Sequence, residues 1–242
     1  ATAESAKAAD DGVTNTQEAG VDEGGIVKTF GDYFVILRRG RLFTVSTAGG
    51  NLNPVDAVNA YPPGVSPQGD WYDEMLISGD RIIVIGYSYA RGGTEVNRFR
   101  ISANGRLSYE DSYHLRSNDY YSSRNYASRL IGTRLIVYTP LSLPWQIEDN
   151  WDWLPGVRRW DGNPDRSAFK PMITGRQIYL PEGWENPERN QISALHTIMD
   201  CDLASREMEC KATAVLGPVS RNFYVSANAV YVWVTNAMTP RE

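Results

Sequence analysis

Four stretches of the chain repeat one design: an apolar segment, a small-residue turn, and a second apolar run of β-branched and aromatic side chains. They are KTFGDYFVILRR from Lys28, LISGDRIIVIGY from Leu76, RLIGTRLIVYTP from Arg129 and YVSANAVYVWVT from Tyr224. Short runs of this kind, closed by Gly, Asn, Asp or Pro, form strands rather than helices. The turn positions Gly31, Gly79, Gly132 and Ala227 lie 48, 53 and 95 residues apart, the last interval about twice the first. Hairpins recurring with such a period belong to architectures built from radially repeated sheets of four strands.

The expected fold is therefore all-β, a β-propeller of four-stranded antiparallel blades, of which this chain carries roughly the first three and a half. Residues 1–20 read as a flexible extension, and the blades as about 21–70, 72–125, 126–217 and a partial 222–242. In the second unit the strands are predicted near 73–78, 81–87, 94–102 and 106–114, with Gly79-Asp80 and Ala103-Asn104-Gly105 as turns. The third unit departs at 141–190 into a long insertion holding five of the seven Trp. A partial array leaves open strand edges, so the remaining blades or a second polypeptide are expected to complete it.

Composition narrows the partners. The chain has 24 Lys+Arg against 29 Asp+Glu, a net charge of −5, so no basic surplus exists to engage nucleic acid. Apolar runs such as Ile82–Ile85 are far shorter than the ~18 residues that span a bilayer. Cys201 and Cys210 flank a polar stretch suited to a hairpin loop, which would put them on paired strands at disulfide geometry. A disulfide implies a secreted, periplasmic or cell-surface location, the alternative being two free thiols in a reducing compartment. Ala1–Gly12 has no basic or apolar leader region and reads as a mature or trimmed end.

The stretch TNTQEAGVDEGGIVKTFGDYFVIL, Thr14 to Leu37, resembles the opening of a family of secreted bacterial and archaeal proteins with a C-terminal β-propeller distantly related to WD repeats. The family's start reads approximately T-N-x-Q-x-x-G-V-D-E-x-D-I-V-K-x-D-G. Thr14, Asn15, Gln17, Gly20, Val21, Asp22, Glu23, Ile26, Val27, Lys28 and Gly31 match it, while Gly25 and Phe30 replace two acidic positions. The resemblance implies a propeller fold and export, and carries over no catalytic signature.

Candidate chemistry is sparse. Asp22, Glu23 and Lys28 could form an acid–base couple or half a metal site; the plainer expectation is a network pinning the N-terminal segment to the first blade. His114 and His196 sit singly in strand-like runs, without a nucleophile-elbow or zinc motif around them. The insertion brings Trp145, Trp151, Trp153, Arg158, Arg159, Trp160 and Trp184 together with several Asp. Trp and Arg supply binding hot spots and sugar-stacking platforms, and equally the small satellite core that a long loop needs. Asp161-Gly162-Asn163-Pro164-Asp165 offers alternating oxygens for calcium or an ordinary Asx turn, and no other cofactor is expected.

The expected function is thus a non-catalytic binding or scaffold propeller, outside the cytoplasm, for a protein or glycan ligand. The alternatives are a secreted hydrolase with its site in the propeller channel and a structural subunit of an extracellular assembly.

Overall fold

Strands form where the sequence places apolar runs, and the glycines that close them adopt the left-handed backbone that tight hairpins need. Gly31, Gly79 and Gly132 have φ of 53°, 59° and 61°, the same device three times over. The computed structural model describes residues 18–117, 127–143, 153–163, 169–184, 192–220 and 222–234.

A two-residue strand β1 (Asp22–Glu23) precedes the first sheet, an antiparallel meander of β2 (Val27–Phe30), β3 (Tyr33–Arg38), β4 (Arg41–Ser46) and β5 (Asn53–Asn59). The second meander follows as β6 (Asp70–Ser78), β7 (Arg81–Ser88), β8 (Gly93–Ile101) and β9 (Leu107–Leu115). The third begins with β10 (Ala127–Ile131) and β11 (Arg134–Ser142). The insertion then supplies three short strands, β12 (Gly156–Arg159), β13 (Lys170–Pro171) and β14 (Ile178–Tyr179). The third sheet resumes with β15 (Ala194–Asp202) and β16 (Glu209–Gly217), and a two-stranded sheet of β17 (Asn222–Val225) and β18 (Val230–Trp233) follows.

Pairing adds what the local pattern does not contain. Rather than forming a free loop, the insertion lays β12 antiparallel on β9, pairing Arg158 with His114, and sets β14 parallel to β16. It therefore covers the outer edges of both the second and the third sheet, which satisfies edge N–H and C=O groups that would otherwise be open.

The sheets stack face to face with an apolar layer in each interface. Val35, Leu37 and Leu42 of the first sheet pack with Met75, Ile82, Val84 and Phe99 of the second. The other face of the second sheet, with Ile83, Ile85 and Val96, meets Leu135, Val137, Leu195 and Met199 of the third. Consecutive residues of β7 thus point into different cores, which is why Ile82–Ile85 is apolar without interruption. Each such side chain contributes about 1.5–3 kcal/mol by its burial. A smaller cluster of Val21, Ile136 and Val225 joins the third sheet to β17–β18 and to the N-terminal segment.

Following the chain direction sorts the connections into two groups. Tight turns such as 79–80, 132–133 and 203–208 lie at one end of the sheets. The connections 60–69, 89–92, 116–126, 143–193 and 218–221 leave from the other. The connections between sheets thus depart from one end of the strands, and the described parts of the 143–193 segment return along the outer edges of the second and third sheets.

Candidate functional site

The N-terminal motif is built around residues that let a backbone lie close to strands. Tyr224 donates a hydrogen bond from its hydroxyl to the Glu18 carboxylate, linking the start of the segment to β17. Val21 is buried in the small third core, and β1 pairs antiparallel with β10, Asp22 opposite Leu130 and Glu23 opposite Arg129. Gly25 then exchanges backbone hydrogen bonds of 3.0 and 2.9 Å with Met75 of β6. Residues 18–25 thus run as a strap across the innermost strands of three sheets before the chain enters the first. The pairing with the third sheet adds to the expected network of Asp22, Glu23 and Lys28, which ties the segment to the first sheet through Lys28 on β2: open inner edges of β10 and β6 lie in its path, and strand edges recruit backbone.

Lys28 closes the strap. Its side chain is 2% exposed and its Nζ donates to Asp22 Oδ1 at 2.6 Å and to the Glu23 carbonyl at 2.6 Å. The Glu23 carboxylate faces Arg129 at 3.3 Å. Beneath the strap, Glu74 accepts a hydrogen bond from Ser128 Oγ at 2.7 Å, and a Cβ on Gly24 would overlap the Glu74 side chain. Burial pushes the Glu74 carboxyl up to about 7, against the opposing pull of Ser128 and Arg129.

A second polar assembly fills the space between the first and second sheets. Tyr72, Arg91, Asn97 and His114 all direct donors at the two Glu95 oxygens, at 2.7, 2.7, 3.1 and 2.9 Å. Arg91 also meets Asp70 at 2.5 Å. Burial works to raise the Glu95 pKa, yet the hydrogen bond from His114 and the charge of Arg91 hold it down at about 2. Burial lowers His114, so Glu95 is the charged member and His114 Nε2 carries the donated proton.

The insertion closes over this assembly. Arg158 is 4% exposed, donates to the Arg91 carbonyl at 3.0 Å, and stacks 5.0 Å over Phe169. The Arg91 and Arg158 guanidinium groups lie 5.6 and 5.7 Å from the Trp160 ring, which meets His114 edge-on. Trp153 packs on the core between the second and third sheets, and Trp184 is half-buried beside Pro181. Arg159 is 53% exposed and faces Asp111 and Glu207 at 3.7 and 3.5 Å. Trp145 and Trp151 lie outside the described residues.

The two histidines are both on strands and both buried. His196 has Nδ1 2.9 Å from the Tyr138 hydroxyl and Nε2 2.8 Å from the Pro218 carbonyl, and burial lowers its pKa. Asp161 accepts the Asn163 backbone N–H at 2.9 Å, an Asx turn, while Pro164 and Asp165 fall outside the described residues. Among the described residues no group of three His, Cys, Asp or Glu is placed to hold a metal ion. Cys201 and Cys210 are bonded directly across β15 and β16. Among the described residues no helix is long and apolar enough to cross a membrane.

Glu74, Arg91 and Glu95 were not singled out by sequence reasoning. For Glu95 the signal is a charge in a strand at a central sheet position: β8 reads GTEVNRFRI, and a strand covered on both faces cannot leave Glu95 or Arg98 unpaired, whereas Arg91, in the 89–92 connection, carries no such local signal.

Neither the curated proteins nor the solved structures compared with the chain gave a match. A family model described as Beta propeller domain matches residues 12–242, from ahead of the strap through all the sheets. With its repeated antiparallel meanders and that match over nearly its whole length, the chain belongs to the β-propeller domain family.

Proposed function

We propose that this propeller is a binding or scaffold module, secreted or held in the cell envelope, that receives a protein or glycan at the loop end of its sheets without chemical turnover. The observation that carries this is that the connections 60–69 and 89–92 and the departure point of the Trp-rich insertion after β11 share one end of the sheets, where Trp71 and Tyr89 are 48% and 44% exposed. Loops on a rigid strand frame are where binding residues concentrate. Within the insertion, Trp145, Trp151, Arg159 and Trp184 are assigned to the ligand. Trp153, Arg158 and Trp160 hold the segment in place. The cross-strand disulfide supports an oxidising location. Both ring nitrogens of His196 are engaged, by Tyr138 and Pro218, and His114 has no exposed surface from which to reach a substrate, which supports the non-catalytic reading over a hydrolase.

The same reading includes completion of the array. Among the described residues β17–β18 is a pair where each other sheet has at least four strands, and Tyr231 and Trp233 on β18 are 50% and 55% exposed. Further blades, or a second polypeptide, are proposed to cover that side.

The test is retention on a glycan array and on immobilised envelope proteins, read beside turnover of generic ester and peptide substrates. Retention that is lost in a Trp71→Ala, Tyr89→Ala double variant supports the reading. Turnover without retention overturns it in favour of the hydrolase.

A further inference from the structure

The turn end of each sheet carries a socket, and the structure fills two of three. Tyr33, Arg81 and Arg134 each begin the second strand of a sheet, directly after its glycine turn. Two residues further, Val35, Ile83 and Ile136 pair with Thr44, Arg98 and Asp200 on the third strand. Those pair in turn with Asp56, Asp111 and Lys211 on the fourth. Register alone makes the three sets equivalent.

The first set holds the outer turn of the second sheet. Thr44 Oγ1 donates to the Gly105 carbonyl at 2.7 Å, Asp56 accepts the Leu107 N–H at 2.9 Å, and the Tyr33 ring lies so close to Gly105 that a Cβ there would strike it. The second set holds the outer turn of the third sheet. Arg81 donates to the Leu203 carbonyl, and Arg98, fixed by two 2.6 Å bonds to Asp111, donates to the carbonyls of Ser205 and Arg206 at 3.3 and 2.8 Å. Arg98 and Asp111 are 0% and 6% exposed as a result.

The third set lines a cavity of about 210 Å³ between the third sheet and the β17–β18 turn, with Ile198, Ala227 and Val230 in its walls. Asp200 is paired with Arg134 and lies 3.6 Å from Lys211, but Arg134 and Lys211 are 55% and 77% exposed. These are the donors and the acceptor of a turn-binding socket without the turn.

We infer that the Arg134–Asp200–Lys211 cavity is the docking site for the tight turn of a β-hairpin, the outer strand pair that completes the β17–β18 sheet. Arg134 and Lys211 donate to its turn carbonyls, as Arg81 and Arg98 do one sheet earlier, and Asp200 keeps both cations in position. The occupant is specified by chemistry: a short turn with converging backbone carbonyls, at the end of two strands in register with β18. This rests on the proposed completion of the array, and adds the address at which completion is recognised.

The experiment uses the 15N-labelled chain and, as probe, an unlabelled synthetic peptide of residues 194–217 closed by the Cys201–Cys210 bond, whose turn fills the second socket. Amide shifts at Arg134, Lys211 and Ala227 report the cavity, and slowed amide exchange over Val230–Trp233 reports strand addition. The expected result is that both respond with one Kd, and that Arg134→Ala, folded by the same spectrum, weakens binding about tenfold. Protection of β18 without shifts at Arg134 and Lys211 overturns the socket and leaves array completion standing. Silence at both sites overturns the two together.

Discussion

His114 Nε2 lies 2.9 Å from Glu95 Oε1, and neither side chain reaches solvent. The charge of Glu95 is matched by Arg91, which is itself 6% exposed and shared with Asp70. Replacing Glu95 by Gln leaves a buried guanidinium with half its compensation, and removing one partner of a buried charge pair costs about 3–5 kcal/mol. The expected outcome is a marked fall in the urea midpoint of Glu95→Gln.

The pH dependence of that network has a definite sign. Glu95 is held at about 2 against an ordinary 4.5, so on acidification the unfolded chain takes up a proton that the folded chain refuses. Its stabilisation is complete above pH 4.5 and is lost as pH falls toward 2. His114, lowered from 6.5, acts in the same direction one step earlier, its contribution declining as pH falls below 6.5. In a Glu74→Gln background, which removes a carboxyl of opposite slope, denaturant midpoints measured from pH 8 to pH 4 should therefore fall on acidification. His114→Gln should flatten the upper part of that fall, and the remainder belongs to His196, which is lowered as well.

Glu74 predicts the opposite slope. Its carboxyl is raised by burial from 4.5 to about 7, so the folded state binds the proton more tightly than the unfolded chain does. The stabilisation is present below pH 4.5 and is lost as pH rises through 7. Glu74→Gln, which keeps an acceptor for Ser128, should match the wild type near pH 4 and exceed it by about 2–3 kcal/mol at pH 8. Thermal melts at the two pH values check this, and an equal difference at both would mean that the carboxyl is already ionised in the fold.

The hairpins were legible because they are local. In the second sheet the strands 70–78, 81–88, 93–101 and 107–115 lie within three residues of their expected places, since each is closed by its own turn residues. What could not be read is pairing between distant segments. GVRR at 156–159 is a strand only because β9 offers an edge to it, and Asp22-Glu23 finds β10 more than a hundred residues away. The insertion's Trp and Arg were legible as a cluster. That Arg158 and Trp160 close over Arg91 and His114 depends on a buried network whose members are scattered from Asp70 to His114.

The disulfide closes a nine-residue separation across directly opposed strands, at the end of the sheet where the 203–208 turn docks on Arg81 and Arg98. Closing a loop of this size stabilises by about 2–3 kcal/mol through the unfolded chain. A Cys201→Ala, Cys210→Ala variant should melt lower by several degrees, and a reductant should lower the wild type toward it without affecting the variant. A wild type indifferent to reductant would mean that the thiols are not joined in solution, and would remove the main support for an extracellular location.

The strap offers the most direct mutational test, because its fit depends on a missing side chain. Gly24 passes over Glu74 with no room for a Cβ. Gly24→Ala must displace either the Glu74 carboxyl, with its bond from Ser128, or the strap itself, and overpacking of this kind costs about 1–3 kcal/mol. Displacing the strap would free the Gly25–Met75 hydrogen bonds and the β1–β10 pairing while leaving the sheets' own ladders intact. Amide exchange should therefore accelerate at Asp22, Glu23 and Gly25 in Gly24→Ala, and β7 and β8 should stay protected. Lys28→Met separates the two routes, since it removes the buried ammonium that holds Asp22 and the Glu23 carbonyl without crowding Glu74. If that variant also opens residues 22–25, the ion pair is the clasp. If only Gly24→Ala does, close backbone packing on Glu74 holds the strap, and Lys28 serves chiefly to neutralise Asp22.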